Sequence, residues 1–161
     1  MKYNEIRPGG LLKQYVKCYY TYESETDLAF EDTVFPSGCI EIIFNLGTGN
    51  WQIASCDGFV TTPSIELWGQ IIRPLPIKSI GRNTMLGIRF YPYGAACFLN
   101  GSVDQFNNQV IDFSDLSDDT VRTLHSKLLE TAAWNKRIEL VGNFCYGSFR
   151  WPKKGLAKWW W

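Results

Sequence analysis

Residues 35–47 read FPSGCIEIIFNLG, and this stretch decides the fold. Pro36-Ser37-Gly38 is a turn signal, and the run behind it suits the interior of a sheet. In an extended strand Cys39, Glu41 and Ile43 share one side, while Ile40, Ile42 and Phe44 share the other. Glu41 is therefore a carboxylate among apolar neighbours, which is costly to bury unless it is paired.

Working outward, segments of similar chemistry run from Tyr15 to about Phe90. They are YVKCYYTYE, NWQIAS, IELWGQI, PIKSIG and TMLGIRFYP, each bounded by Gly, Pro, Asn or Asp. Short strands at such spacing predict six to eight strands in an antiparallel sandwich or barrel. The pattern then changes to helical. PYGAACFLNG places Pro92 at a first helical turn and ends on the stop signal Asn100-Gly101. Val121, Leu124, Leu128 and Leu129 recur at helical spacing, with Asp118 and Asp119 in the first turn. A further helix is expected over residues 135–149, with Ile138, Val141 and Phe144 or Cys145 on one face. The expected class is α+β, with a β-rich module over residues 1–115 and a helical segment over 116–147. Residues 148–161 are expected to form a disordered or aberrant tail.

One late strand mirrors the opening stretch. In LGIRFYP, Gly87, Arg89 and Tyr91 fall on one side and Leu86, Ile88 and Phe90 on the other. Glu41 and Arg89 are thus single charges on otherwise apolar strands. Two readings stand: an ion pair or a wetted strand face, or charges lining a ligand pocket closed by aromatics such as Tyr20, Trp51 and Trp68. Mainly apolar pockets with a few fixed polar groups are what small-molecule sites look like. The candidate ligand-binding residues are Glu41, Arg89, Trp68, Tyr20, Trp51, Cys39 and Tyr91. Core packing remains the default for aromatic stripes such as CYYTY.

Catalytic chemistry finds little support. The chain has one histidine, His125, and it falls on a helix. The strands supply no histidine for a metal site, and no nucleophile has a base beside it, so no catalytic or metal-ligating residue is assigned. No second acid is identified beside Glu41, so a glycosidase pair is not proposed. GTGNW lacks the Lys-Ser/Thr of a phosphate loop and reads as a hairpin turn. No cofactor is indicated.

The totals agree with a binding domain. At 161 residues, 45% of them hydrophobic, the chain is long enough for one domain with a full core. Sixteen basic residues balance sixteen acidic ones. That balance argues against nucleic-acid binding by the body of the domain. The N-terminus MKYNEIRPGG lacks an export signal, and no apolar stretch approaches a membrane span. Five widely spaced cysteines then read as reduced thiols in a cytoplasmic protein.

FPSGCIEIIFNLG resembles a Pro-x-Gly-x-x-Glu-hydrophobic-hydrophobic-Phe segment in the N-terminal domains of bacterial AraC-type transcription regulators. LLKQYVKCYYTYE, LWGQIIRPL, MLGIRFYPYGAACFL and VIDFSDL extend the resemblance in the same order across roughly residues 3–147. It implies a cupin-like or related β module that senses a small-molecule effector, then a helical linker and a DNA-binding unit of two helix-turn-helix motifs. It names no effector and carries over no ligand residue. Fourteen residues follow Gly147, against the hundred or so that unit needs, so DNA binding is expected to lie in a domain absent from this chain. The tail GSFRWPKKGLAKWWW is expected to be a truncation or out-of-frame extension. The expected function is a non-enzymatic sensor whose ligand changes how the helical segment packs or dimerises, with a homodimer through that segment, around Val121 to Leu129 in the interaction-module reading, as its candidate partner. The alternatives are a β-barrel enzyme of small-molecule metabolism and a plain dimerisation module.

Overall fold

The computed structural model describes residues 1–99 and 102–150. The expected helix stop at Asn100-Gly101 lies outside them, as does the tail from Trp151 onward. In chain order the elements are β1 (Lys2–Ile6), β2 (Val16–Ser24), β3 (Phe30–Val34), β4 (Ile40–Asn45) and β5 (Asn50–Ser55). Next come β6 (Gly58–Thr61), β7 (Ile65–Trp68), β8 (Leu75–Ile80), β9 (Asn83–Phe90) and α1 (Pro92–Phe98). The order closes with β10 (Val110–Asp112), α2 (Asp119–Glu130) and α3 (Trp134–Ser148).

The described strands form two antiparallel sheets, a larger one ordered β1-β2-β9-β4-β7-β10 and a smaller one ordered β3-β8-β5-β6. The fold is α+β and the β part is a sandwich; no barrel closes. Four strands go beyond those expected from the sequence, among them β3, a five-residue edge of the smaller sheet. β1 is an almost wholly exposed edge strand, β6 is an exposed four-residue edge, and β10 spans three residues. Edge strands this short or this exposed carry no apolar stripe, which is why the sequence hides them.

The larger sheet is covered on both sides. Ile40, Ile42 and Phe44 of β4, Ile65 and Leu67 of β7, and Leu86, Ile88 and Phe90 of β9 point to the helices. There they meet Ala95 and Phe98 of α1, Val121, Leu124 and Leu128 of α2, and Val141 and Cys145 of α3 in one continuous core. Each such side chain contributes about 1.5–3 kcal/mol on burial. Two helices begin where the sequence signals it: Pro92 opens α1, and the Asp118 carboxylate caps α2 by accepting the Thr120 amide at 2.9 Å. Asp118 is thus the cap of α2, and Asp119 alone stands in its first turn.

A register shift between Val16 and Cys18 corrects strict alternation in β2. It lets Val16 and Tyr19 both face the helices while Tyr20 faces the smaller sheet. Gly38, at a φ of 69°, completes the turn that carries the chain from β3 of one sheet to β4 of the other.

Candidate functional site

The face of the larger sheet opposite the helices is built in rows. Hydrogen-bond register sets Cys18, Arg89, Glu41 and Trp68 side by side on β2, β9, β4 and β7. The next row is Tyr20, Gly87, Ile43 and Glu66. Trp51 of β5 and Ile77 of β8 cover these rows from the smaller sheet. The two walls bound a half-open cavity of about 210 Å³.

A chain of polar contacts crosses one side of that cavity. Arg89 Nε donates to Glu41 Oε1 at 2.8 Å, and the Tyr20 hydroxyl donates to Glu41 Oε2 at 2.6 Å. Arg89 Nη1 reaches Glu5 Oε1 of β1 at 3.0 Å, and the Tyr3 hydroxyl donates to the same oxygen at 2.6 Å. The guanidinium carbon also lies 4.9 Å from the Tyr20 ring centroid, a cation–π distance. The Glu41 and Arg89 side chains keep only 17% and 22% of their surface. Burial opposes the charge on Arg89, but the Glu41 carboxylate beside it outweighs burial and holds the guanidinium firmly protonated. Burial, reinforced by Glu41, pushes the Tyr20 phenol well up, so it stays a donor. Burial and the bond to Glu5 push Tyr3 up to about 12.

Gly87 makes this arrangement feasible. A Cβ there would collide with the Tyr20 ring, so only glycine lets the phenol lie across β9 to reach Glu41.

Glu66 is the second carboxylate of the cavity, and it is 2% exposed. Asn45 Nδ2 and the Thr62 hydroxyl donate to its Oε1 at 2.7 and 2.6 Å, and the Trp68 indole donates to its Oε2. All three partners are neutral. Burial raises the Glu66 pKa against the opposing pull of those three bonds. The expectation that no second acid accompanies Glu41 is thereby corrected. The signal is present in IELW, where Glu66 stands between apolar strand neighbours as Glu41 does.

The two readings of Glu41 and Arg89 prove to be compatible, since the pair is closed and also lines the cavity. Six candidates come together there: Tyr20, Cys39, Glu41, Trp51, Trp68 and Arg89. Tyr91 does not join them, contrary to strand alternation. β9 ends at Phe90, and Tyr91 turns away as the N-cap of α1, its ring stacked on Tyr93 at 5.5 Å. His125 lies on the opposite side of the sheet, where its Nε2 donates to the Asn45 carbonyl at 2.8 Å and its ring stacks on Phe44. The buried Trp51 indole N–H has no acceptor among the described residues.

A wider depression of about 430 Å³ lies between Met1, residues 24–28 and the Ser79–Asn83 turn. Its one charged side chain, Glu25, is exposed, and its buried polar groups, Asn83 and Ser79, are neutral and bonded to each other. The inter-sheet cavity has fixed charged groups beside its aromatic walls; the depression has none.

Residues 4–112 match the family model described as a domain of unknown function, DUF6597. The chain belongs to the DUF6597 family. The matched region of this DUF6597 protein contains every residue that lines the inter-sheet cavity. No curated protein and no solved structure matches the chain. Among the described residues no helix is long and apolar enough to cross a membrane, and no three His, Cys, Asp or Glu side chains gather as a metal site.

Proposed function

We propose that this DUF6597 domain is a sensor that binds a small-molecule effector between its two sheets and signals through its helices. One observation carries the reading: an inter-sheet hollow of about 210 Å³ lies against charged groups that are already locked in place. A half-open hollow with apolar and aromatic walls and a few fixed polar groups is the usual form of a small-molecule site. Fixed polar groups beside aromatic walls favour binding over turnover. Glu41 and Glu66 are held in place by their donors and keep lone pairs for a guest's own donors, as a binding site requires. In keeping with the resemblance to AraC-type regulators, the partner domain would bind DNA, in the cytoplasm, and would lie outside this chain.

A route for the signal supports the same reading. Asn45 stands at the end of β4 with its side chain on Glu66 and its carbonyl on His125 of α2. A guest that shifts Glu66 therefore pulls on a residue that also anchors α2. Such a route transmits only if the guest binds two packings of α2 with different affinity. Dimerisation through α2 would have to use Leu129, which is 52% exposed, because Val121, Leu124 and Leu128 are consumed in the intrachain core.

The test is a thermal-shift screen of sugars, aromatics and amphiphiles, followed by hydrogen exchange of α2 with any compound that stabilises the domain. The sensor reading expects a stabilising compound that changes exchange in α2, and a His125→Phe variant that still binds it but no longer changes α2. A compound that binds between the sheets and leaves α2 exchange untouched would remove signalling from the proposal. Steady turnover of a bound compound would replace the sensor with an enzyme.

A further inference from the structure

We propose that the guest of the inter-sheet cavity is a small organic cation, an amine on an apolar or aromatic body, held by Glu66 and Glu41 among Tyr20, Trp51 and Trp68. The inference rests on the binding reading above and adds the charge and class of the ligand. Two carboxylates line the cavity, and Arg89 is the one cation among its lining residues. Arg89 does not balance them, because its guanidinium is shared between Glu41 and Glu5. Lys17, whose Nζ lies 4.0 Å from the Cys39 sulfur of the cavity, is the other cation nearby, and Glu5, Glu41 and Glu66 still outnumber Arg89 and Lys17, so the local excess is negative.

Glu66 makes the imbalance sharper. It is the most deeply buried acid of the site, yet no described cation lies within ion-pair distance of it. Its three neutral donors offset part of the cost of burying a carboxylate, and burial still raises its pKa. An ammonium group entering the cavity would supply the missing counter-charge. The walls suit the same guest, since the indole and phenol rings of Trp51, Trp68 and Tyr20 attract cations through their faces and apolar groups through their area. An anion would meet two carboxylates and a guanidinium already engaged on Nε and Nη1. The volume admits on the order of ten non-hydrogen atoms at interior packing density.

Three probes of similar size and different charge test the proposal: phenethylamine, 2-phenylethanol and 3-phenylpropionate, each titrated into the full chain with tryptophan fluorescence and calorimetry as readouts. The amine is expected to bind at least about tenfold more tightly than the alcohol, and the acid more weakly than both. In Glu66→Gln the amine's advantage should fall to within about twofold while the alcohol's affinity holds. Equal affinities, or an acid that binds best, would overturn the cationic guest and leave a binding cavity standing. Binding of none of the three at millimolar concentration would overturn both the cation and the cavity reading. An amine preference that survives unchanged in Glu66→Gln would overturn the role given to Glu66. Should that variant fail to fold, the ranking on the native chain still decides the charge.

Discussion

The two faces of the larger sheet come from the same strands and differ in kind. β4 sends Ile40, Ile42 and Phe44 to the helices but Glu41 and Ile43 to the cavity. β7 sends Ile65 and Leu67 one way, Glu66 and Trp68 the other. The helix side is apolar and close-packed. The cavity side spends interior space on a hollow, two carboxylates and a guanidinium. The difference teaches that a sheet anchored from one side can carry charge and open space on its other side.

Truncation on the helix side should do the greatest harm. Phe44→Ala is expected to cost about 3–5 kcal/mol in urea unfolding, because Phe44 is fully buried between β4 and α2. A loss under about 1 kcal/mol would deny that this face anchors the domain. Removing the cation on the cavity side should cost less. Arg89→Met strands Glu41 and Glu5 together and is expected to lose about 1.5–3 kcal/mol, with Glu41→Gln in the same chain restoring part of it. A double variant no more stable than Arg89→Met would show that the pair is not coupled. Gly87→Ala, which drives a methyl group into the Tyr20 ring, should cost about 1–3 kcal/mol and break the Tyr20–Glu41 bond. A crystal structure of that variant with the bond intact would contradict the role given to glycine.

The smallest effect concerns pH. Glu66 has a raised pKa when folded, so the native state keeps its proton at a pH where the unfolded chain has lost it. Its contribution is present at low pH and is lost as pH rises above the ordinary glutamate range through the folded value. The stability of the native chain minus that of Glu66→Gln should therefore fall as pH rises across that window. A difference that is flat or rises with pH would mean that Glu66 is not held uncompensated.

Much of this organisation was legible in residues 35–47 and 84–91. Alternation along β4 and β9 separates the two faces, and single charges within apolar strands point to the cavity. Glu66 carried the same signature. Other features were hidden for physical reasons. β1 places Glu5 and Tyr3 beside Arg89, but an exposed edge strand has no apolar stripe to announce it. The shift in β2 changes which residues face which side without altering composition. Tyr91 was misplaced because alternation holds only while the strand lasts, and Pro92 ends it. The pairing Asn45–His125 joins residues eighty positions apart, which no local pattern reveals.

The most direct test of the central claim is the indole N–H spectrum of nitrogen-15-labelled protein titrated with phenethylamine, 2-phenylethanol and 3-phenylpropionate. A guest between the sheets should move the Trp51 and Trp68 resonances together and saturably, and an Ile43→Trp variant that fills the hollow should abolish those shifts. Silence of both resonances with all three compounds, or shifts that persist in the filled variant, would contradict the account.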